Sequence, residues 1–165
     1  MSSRSAAGGP MIRLIDEQKK VAVDARALTR LARVAVKALK IEERGRIDIT
    51  LITDGAMRRL NKRALRHDYV TDVITFRYPP VEIPSVDGVI GDIVIAPARA
   101  RAYARKTGAD AREELGRYVV HGLLHWVGHD DRTAEEQVLM RRLEDQLLDA
   151  GGFRRSVERS ARAVV

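Results

Sequence analysis

Between residues 24 and 40 the apolar side chains Leu28, Leu31, Ala35 and Ala38 recur at steps of three and four, which predicts an amphipathic helix. Arg46–Thr53 follows another rhythm. Ile47, Ile49 and Leu51 alternate with Asp48 and Thr50, the period of a strand with one face buried. Met11–Ile15 and Val73–Phe76 are further β-prone runs, and Val89–Ile95 is a nearly continuous apolar strand interrupted by Gly91 and Asp92. Asp54 is placed to cap a helix running to Arg66, with Met57, Leu60 and Ala64 turned toward the core. A Pro-rich connection, Pro79–Gly88, separates two of the strands, and Pro97 suits the first turn of a following helix. Asp110-x-x-Glu113 opens a helix in which Leu115, Val119, Leu123 and Trp126 form the apolar stripe. Thr133-x-x-Glu136 opens the last helix, whose stripe is Met140, Leu143 and Leu147 and whose stop is Gly151. Helices interleaved with about four strands predict a single α+β or α/β domain.

The domain is expected to occupy residues 11–150, after a small, polar, disordered segment at 1–10 and before a basic tail at 151–165. The 165 residues are 45% hydrophobic and 32% charged, as in a soluble globular chain. No apolar run approaches the roughly 20 residues of a membrane span, and no signal-peptide core follows the N-terminus. With no cysteine there are no disulfides. The cytoplasm is the expected compartment.

The net charge of +7 invites an anionic partner, but much of it sits at the termini. Arg4 carries one charge, and Arg154, Arg155, Arg159 and Arg162 against Glu158 carry three, leaving +3 for residues 11–150. Aromatics make up only 4%, so a base-stacking platform is not expected and nucleic-acid contacts would fall mainly on phosphates.

The chemistry concentrates in His121-Gly-Leu-Leu-His125-Trp-Val-Gly128-His129-Asp130-Asp131. His121 and His125 lie one turn apart, so both imidazoles project from one helix face and can hold a divalent ion such as zinc. On a straight helix His129 would lie about 12 Å along the axis from His121, too far to share an ion. A turn at Gly128 instead lets Asp131 or His129 fold back. Asp131 is favoured, because H-x-x-x-H-x-x-G-x-x-D looks like the extended zincin pattern with its last histidine replaced. Two histidines, a carboxylate and an open position suit a catalytic ion better than a structural one.

Arg58, Arg59, Lys62, Arg63 and Arg66 are five cations within nine residues, with no acid among them, and on a helix they share one face. Such a ridge is either a solvated face or a polyanion site. Asp72 and Asp92 stand in or beside apolar strands, where a carboxylate needs a partner. His67 and Asp68 lie in the same connection as Asp72 and are candidates for lining a cleft.

Together these segments resemble the YbeY family of bacterial endoribonucleases. The matching stretches are Leu60-Asn61, His67-Asp68 with Thr71-Asp72-Val73-Ile74-Thr75-Phe76, Gly91-Asp92-Ile93-Val94-Ile95 and the histidine motif. The resemblance implies an α+β fold, with a mixed sheet of about four strands, about five helices and the metal helix in a cleft. It further implies a zinc-dependent, single-strand-specific endoribonuclease holding one zinc ion per chain. That enzyme would act on small-subunit rRNA in 16S 3′-end maturation and ribosome quality control, with ribosomal proteins or assembly factors as possible partners. Many members end the motif with histidine where this chain has Asp131, and many carry an arginine at the position of Leu65, next to which Arg63 and Arg66 stand here.

The expected ligands are therefore His121, His125 and Asp131. Arg59, Lys62, Arg63 and Arg66 are the RNA-binding candidates, and Arg66, His129 and Asp72 the catalytic ones. Asp130 is a further candidate base. Two alternatives remain. A zincin-like peptidase would need a base carboxylate after the first histidine, where this chain has Gly122. A non-catalytic RNA-binding assembly factor would use the metal only to hold its fold.

Overall fold

The computed structural model of the chain describes residues 8–65, 71–79 and 88–154. Among them are four strands, β1 (Met11–Asp16), β2 (Arg46–Leu51), β3 (Val73–Arg77) and β4 (Val89–Ile95). Five helices accompany them: α1 (Ala25–Ala38), α2 (Asp54–Leu65), α3 (Pro97–Thr107), α4 (Ala111–Trp126) and α5 (Ala134–Ala150). The strands form one sheet in the order β1-β2-β4-β3, parallel except for β3, which runs antiparallel to β4 at an edge. The expected single domain with a mixed four-stranded sheet and five helices is what the chain forms.

Residue parity in the strands divides the protein into two apolar layers. Ile47, Ile49 and Leu51 of β2 and Ile93 and Ile95 of β4 face the main core, with α1 and α4 packed on them. Ile74 of β3 and Val94 of β4 point the other way, into a smaller cluster with Met57, Ala56 and Leu60 of α2. Helices α2 and α4 therefore lie on opposite faces of the sheet.

The half-buried reading of β2 needs correction. Asp48 is 6% exposed and Thr50 8% exposed, because β2 is an interior strand whose polar face is covered by neighbouring side chains. Arg13 and Arg46 both donate to Asp48, and the Thr50 hydroxyl donates to Asp92 at 2.9 Å. Burial would raise the Asp48 pKa, but the guanidinium hydrogen bonds outweigh it and hold the group below its ordinary 3.8. Burial instead pushes Asp92 up, helped by the charge of Asp48.

Helix α2 departs from the expectation at its cap and on its inner face. The Thr53 hydroxyl accepts from the Ala56 N–H, so Thr53 caps the helix and Asp54 is its first residue. Its buried face is Met57 and Asn61, while Ala64 is exposed. At the C-terminal end of the domain Gly151 follows α5 as expected, but the left-handed residue is Gly152, at φ +73°. Phe153 then returns to the core beneath the Arg112 guanidinium.

Helix α4 is seated on the sheet by two glycines. A Cβ at Gly122 would lie 2.5 Å from Ile93 Cγ2, and a Cβ at Gly91 would lie 2.1 Å from the Trp126 ring. The Thr75 hydroxyl donates to the Gly122 carbonyl at 3.1 Å, and Arg77 donates to the Trp126 carbonyl at 2.8 Å.

Candidate metal centre

Seating α4 through Gly122 and Trp126 turns its 121/125 stripe away from the sheet, toward α5 and solvent. The Asp110 side chain caps the helix start by accepting from the Glu113 N–H. Its end is closed by Gly128, at φ +98°, with the His129 N–H returning to the Leu124 carbonyl. Five residues later the Thr133–Glu136 capping box opens α5. Asp131 is held between these two local structures, with its carbonyl accepting from the Gln137 amide at 3.0 Å. The turn at Gly128 brings its carboxylate back beside the histidines.

The result is a convergence of donors. His121 Nε2 and His125 Nε2 are 2.9 Å apart, and Asp131 oxygens lie 3.5 Å from the first and 3.8 Å from the second. Ligands about 2.1 Å from one tetrahedral ion stand about 3.4 Å from each other, so the three separations bracket what a single ion needs. One ligand atom from each residue lies within 4.8 Å of the others, and among the described residues this is the group able to hold a metal. Each of the three side chains keeps between 25% and 40% of its surface exposed, so the point on which they converge is open to solvent.

The protonation pattern agrees. His121 Nδ1 lies 2.8 Å from a Glu144 oxygen. A carboxylate only accepts, so Nδ1 carries the hydrogen and Nε2 presents its lone pair. That lone pair faces another imidazole nitrogen at 2.9 Å, an arrangement that requires a proton or a cation between the two rings. Burial lowers the His125 pKa and the neighbouring His121 lowers it further, against the opposing charges of Asp131 and Asp130 and a hydrogen bond with the His129 backbone. A neutral His125 is the ligand form.

Of the other expected site residues, His129 contributes its backbone to this turn, and its side chain is not in the ligand group. Asp130 accepts from the Asp131 N–H and pairs with Arg132 at 3.3 Å. Asp72 immediately precedes β3, ion-pairs with Arg99 at 3.6 Å and acts electrostatically on Glu114 and Tyr118, one turn or more before His121. Arg58, Arg59, Lys62 and Arg63 are exposed on α2, across the sheet from the histidine helix rather than alongside it. Arg66, His67 and Asp68 lie outside the described residues.

Glu144 was not among the expected residues. It reaches from α5, 4% exposed, and also receives Arg117 at 3.3 Å. A signal existed, since Glu144 lies on the stripe of Met140, Leu143 and Leu147, where a carboxylate needs a partner.

A curated endoribonuclease YbeY from Bacillus velezensis is 32% identical over 154 residues, covering 88% of this chain and 98% of the relative. One from Rhodopirellula baltica is 40% identical over 122 residues, 72% of this chain, though that stretch spans only 61% of the relative's length. The solution structure of TM1509 from Thermotoga maritima shares the fold with a TM-score of 0.57 at 23% identity, covering 86% of this chain and 89% of that one. The model of the family described as Endoribonuclease YbeY matches residues 13–152, from the first strand through the histidines, Asp131 and Glu144. The chain belongs to the endoribonuclease YbeY family.

Proposed function

We propose that this protein is a zinc-dependent endoribonuclease that cleaves single-stranded RNA, acting in the cytoplasm on small-subunit rRNA in 16S 3′-end maturation and ribosome quality control. The observation that carries the reading is the convergence of His121, His125 and Asp131 on one solvent-open point. Family membership supplies the RNA substrate, and exposed Arg59, Lys62 and Arg63 supply phosphate-binding charge. Donors of nitrogen and oxygen with no sulfur suit zinc, which when bound there supplies Lewis acidity and a water of lowered pKa.

The chain's own residues do the rest. His121 and His125 would present imidazole nitrogens, and Asp131 would close the set with a negative charge that offsets part of the ion's own. Arg59, Lys62 and Arg63 hold the RNA backbone on α2, so a strand engaging them and the ligand group passes around the β3 edge. Arg66, beyond the described end of α2, is assigned to the charge developing on the phosphorus in flight. Of the proton-transfer candidates, His129 shares the turn of Asp131, whereas Asp72 is engaged by Arg99. His129 is the better assignment.

Two observations weigh against the alternatives. Gly122 faces Ile93 with no room for a side chain, so the position of a zincin base has neither carboxylate nor space. Helices α4 and α5 share the main apolar core, which holds Leu123, Leu124, Leu147 and Leu148, so an ion would not be their sole link. The test is cleavage of an end-labelled single-stranded RNA by zinc-loaded wild type and by His125→Ala. Wild-type cleavage lost in the variant together with its zinc is expected. Full cleavage by a demonstrably metal-free variant would overturn the proposal.

A further inference from the structure

We infer that Glu144, clamped by Arg117, is a positioning residue that fixes both the tautomer and the ring orientation of His121. Metal affinity at the centre is then set partly from helix α5. This rests on the reading of His121 as a ligand.

Glu144 and Arg117 are 4% and 5% exposed, among the few charged groups inside the protein. Arg117 lies one turn before His121 on α4, and its guanidinium is ringed by carboxylates. Asp145 stands at 2.8 Å, Glu144 at 3.3 Å, Glu113 at 3.4 Å and Glu114 at 3.9 Å. Four acids around one cation exceed what neutralising Arg117 requires. Asp145 alone makes the short ion pair, leaving Glu144 with one oxygen toward Arg117 and the other toward His121 Nδ1 at 2.8 Å.

This division of labour has a chemical consequence. Glu144 Oε1 is held by Arg117, so Oε2 cannot swing away from His121 without breaking a buried charge-assisted contact. His121 Nδ1 must then donate, and Nε2 is left as the lone pair aimed at His125 and Asp131. An imidazole free to exchange tautomers would spend part of its time with a hydrogen on Nε2, where no ion could bind. A carboxylate behind the ring also strengthens its donor nitrogen, and loss of such a partner typically costs 10–100-fold in metal affinity. Among the described residues the His129 backbone takes the comparable role for His125, so the two ligands are not equivalent.

Glu144→Gln keeps the side-chain volume and leaves Arg117 paired with Asp145 and Glu113, so the fold should persist. Two measurements test the inference. Zinc affinity by chelator competition is expected to weaken about 10–100-fold in Glu144→Gln, with Glu144→Asp intermediate. Imidazole ¹⁵N spectra of metal-free protein are expected to show His121 as the Nδ1–H tautomer in wild type and as a mixture in Glu144→Gln. Unchanged affinity with an unchanged tautomer would overturn the proposal. So would a lowered melting temperature with unaltered affinity per folded molecule, which would make Glu144 merely structural. If wild type binds no zinc, the proposed function fails and the affinity claim with it. The tautomer spectrum still decides the orientation claim separately.

Discussion

Adding one methyl group at Gly122 opposes two effects whose magnitudes can be compared. Gly122 lies inside α4, where Gly→Ala ordinarily gains about 1 kcal/mol of helix stability. Against this, the new Cβ would sit 2.5 Å from Ile93 Cγ2 and 3.3 Å from Thr75 Oγ1. Carbon atoms pack at roughly 3.5–4.0 Å, so the overlap with Ile93 is about 1 Å. Ile93 is fully buried in β4 and β-branched, so it has little freedom to turn aside. Overpacking of this kind costs about 1–3 kcal/mol, and an overlap this deep belongs at the upper end. The net expectation for Gly122→Ala is a loss of about 1–2 kcal/mol, a fall of roughly 3–6 °C in Tm at this chain length. Gly55→Ala is the control, since its Cβ would meet only the tip of Arg59 at 3.5 Å and should cost nothing. Thermal or urea unfolding followed by circular dichroism reads both variants. Combining Gly122→Ala with Ile93→Ala should recover part of the loss, because the two changes share one contact. A Gly122→Ala protein at least as stable as wild type would refute the close seating of α4, and with it the argument that position 122 faces the sheet.

Asp48→Asn should cost about 2 kcal/mol at pH 7, since it weakens three charge-assisted hydrogen bonds in a buried setting, two of them from a half-exposed Arg13. The folded-state pKa of Asp48 lies below 3.8, so its contribution is complete above the unfolded value and lost as the pH falls through the folded one. Denaturation curves should therefore show wild type and variant converging below about pH 4, and a constant gap would contradict the ion-pair account. Thr133→Ala removes the α5 cap and should cost about 1 kcal/mol, read as a lower Tm, with weaker zinc binding because the same turn holds Asp131. Replacing Arg59, Lys62 and Arg63 by alanine should flatten the salt dependence of single-stranded RNA binding by about 0.7 in log–log slope per lost phosphate contact; an unchanged slope would remove α2 from the RNA path. Asp131→His should retain zinc, whereas Asp131→Ala should lose most of it, and equal affinities would exclude Asp131 as a ligand.

Much of the site could be read from residue spacing because its geometry is local. His121 and His125 share a face by helical period alone, and Gly128 with the Thr133–Glu136 box announces the turn that carries Asp131. What escaped depends on contacts between distant segments. Glu144 makes sense only when Arg117 arrives from another helix, 27 residues away. Alternation points Asp48 toward solvent because it reports which side a residue takes, not whether neighbouring side chains cover that side. Apolarity points Ala64 inward, yet Asn61 takes the buried position beside Met57. The separation of the α2 cations from α4 follows from the pairing of Ile74 with Val94 and of Thr75 with Ile93, which only the sheet register reveals.

The central claim is that an ion held by His121, His125 and Asp131 drives RNA cleavage. Its most direct test is the initial rate of cleavage of an end-labelled single-stranded RNA, measured as zinc is titrated into metal-free protein and bound metal is counted. The account requires no cleavage without metal and a rate that climbs in proportion to occupancy until one ion is bound per chain. Cleavage by the metal-free protein, or a rate indifferent to occupancy, would contradict it.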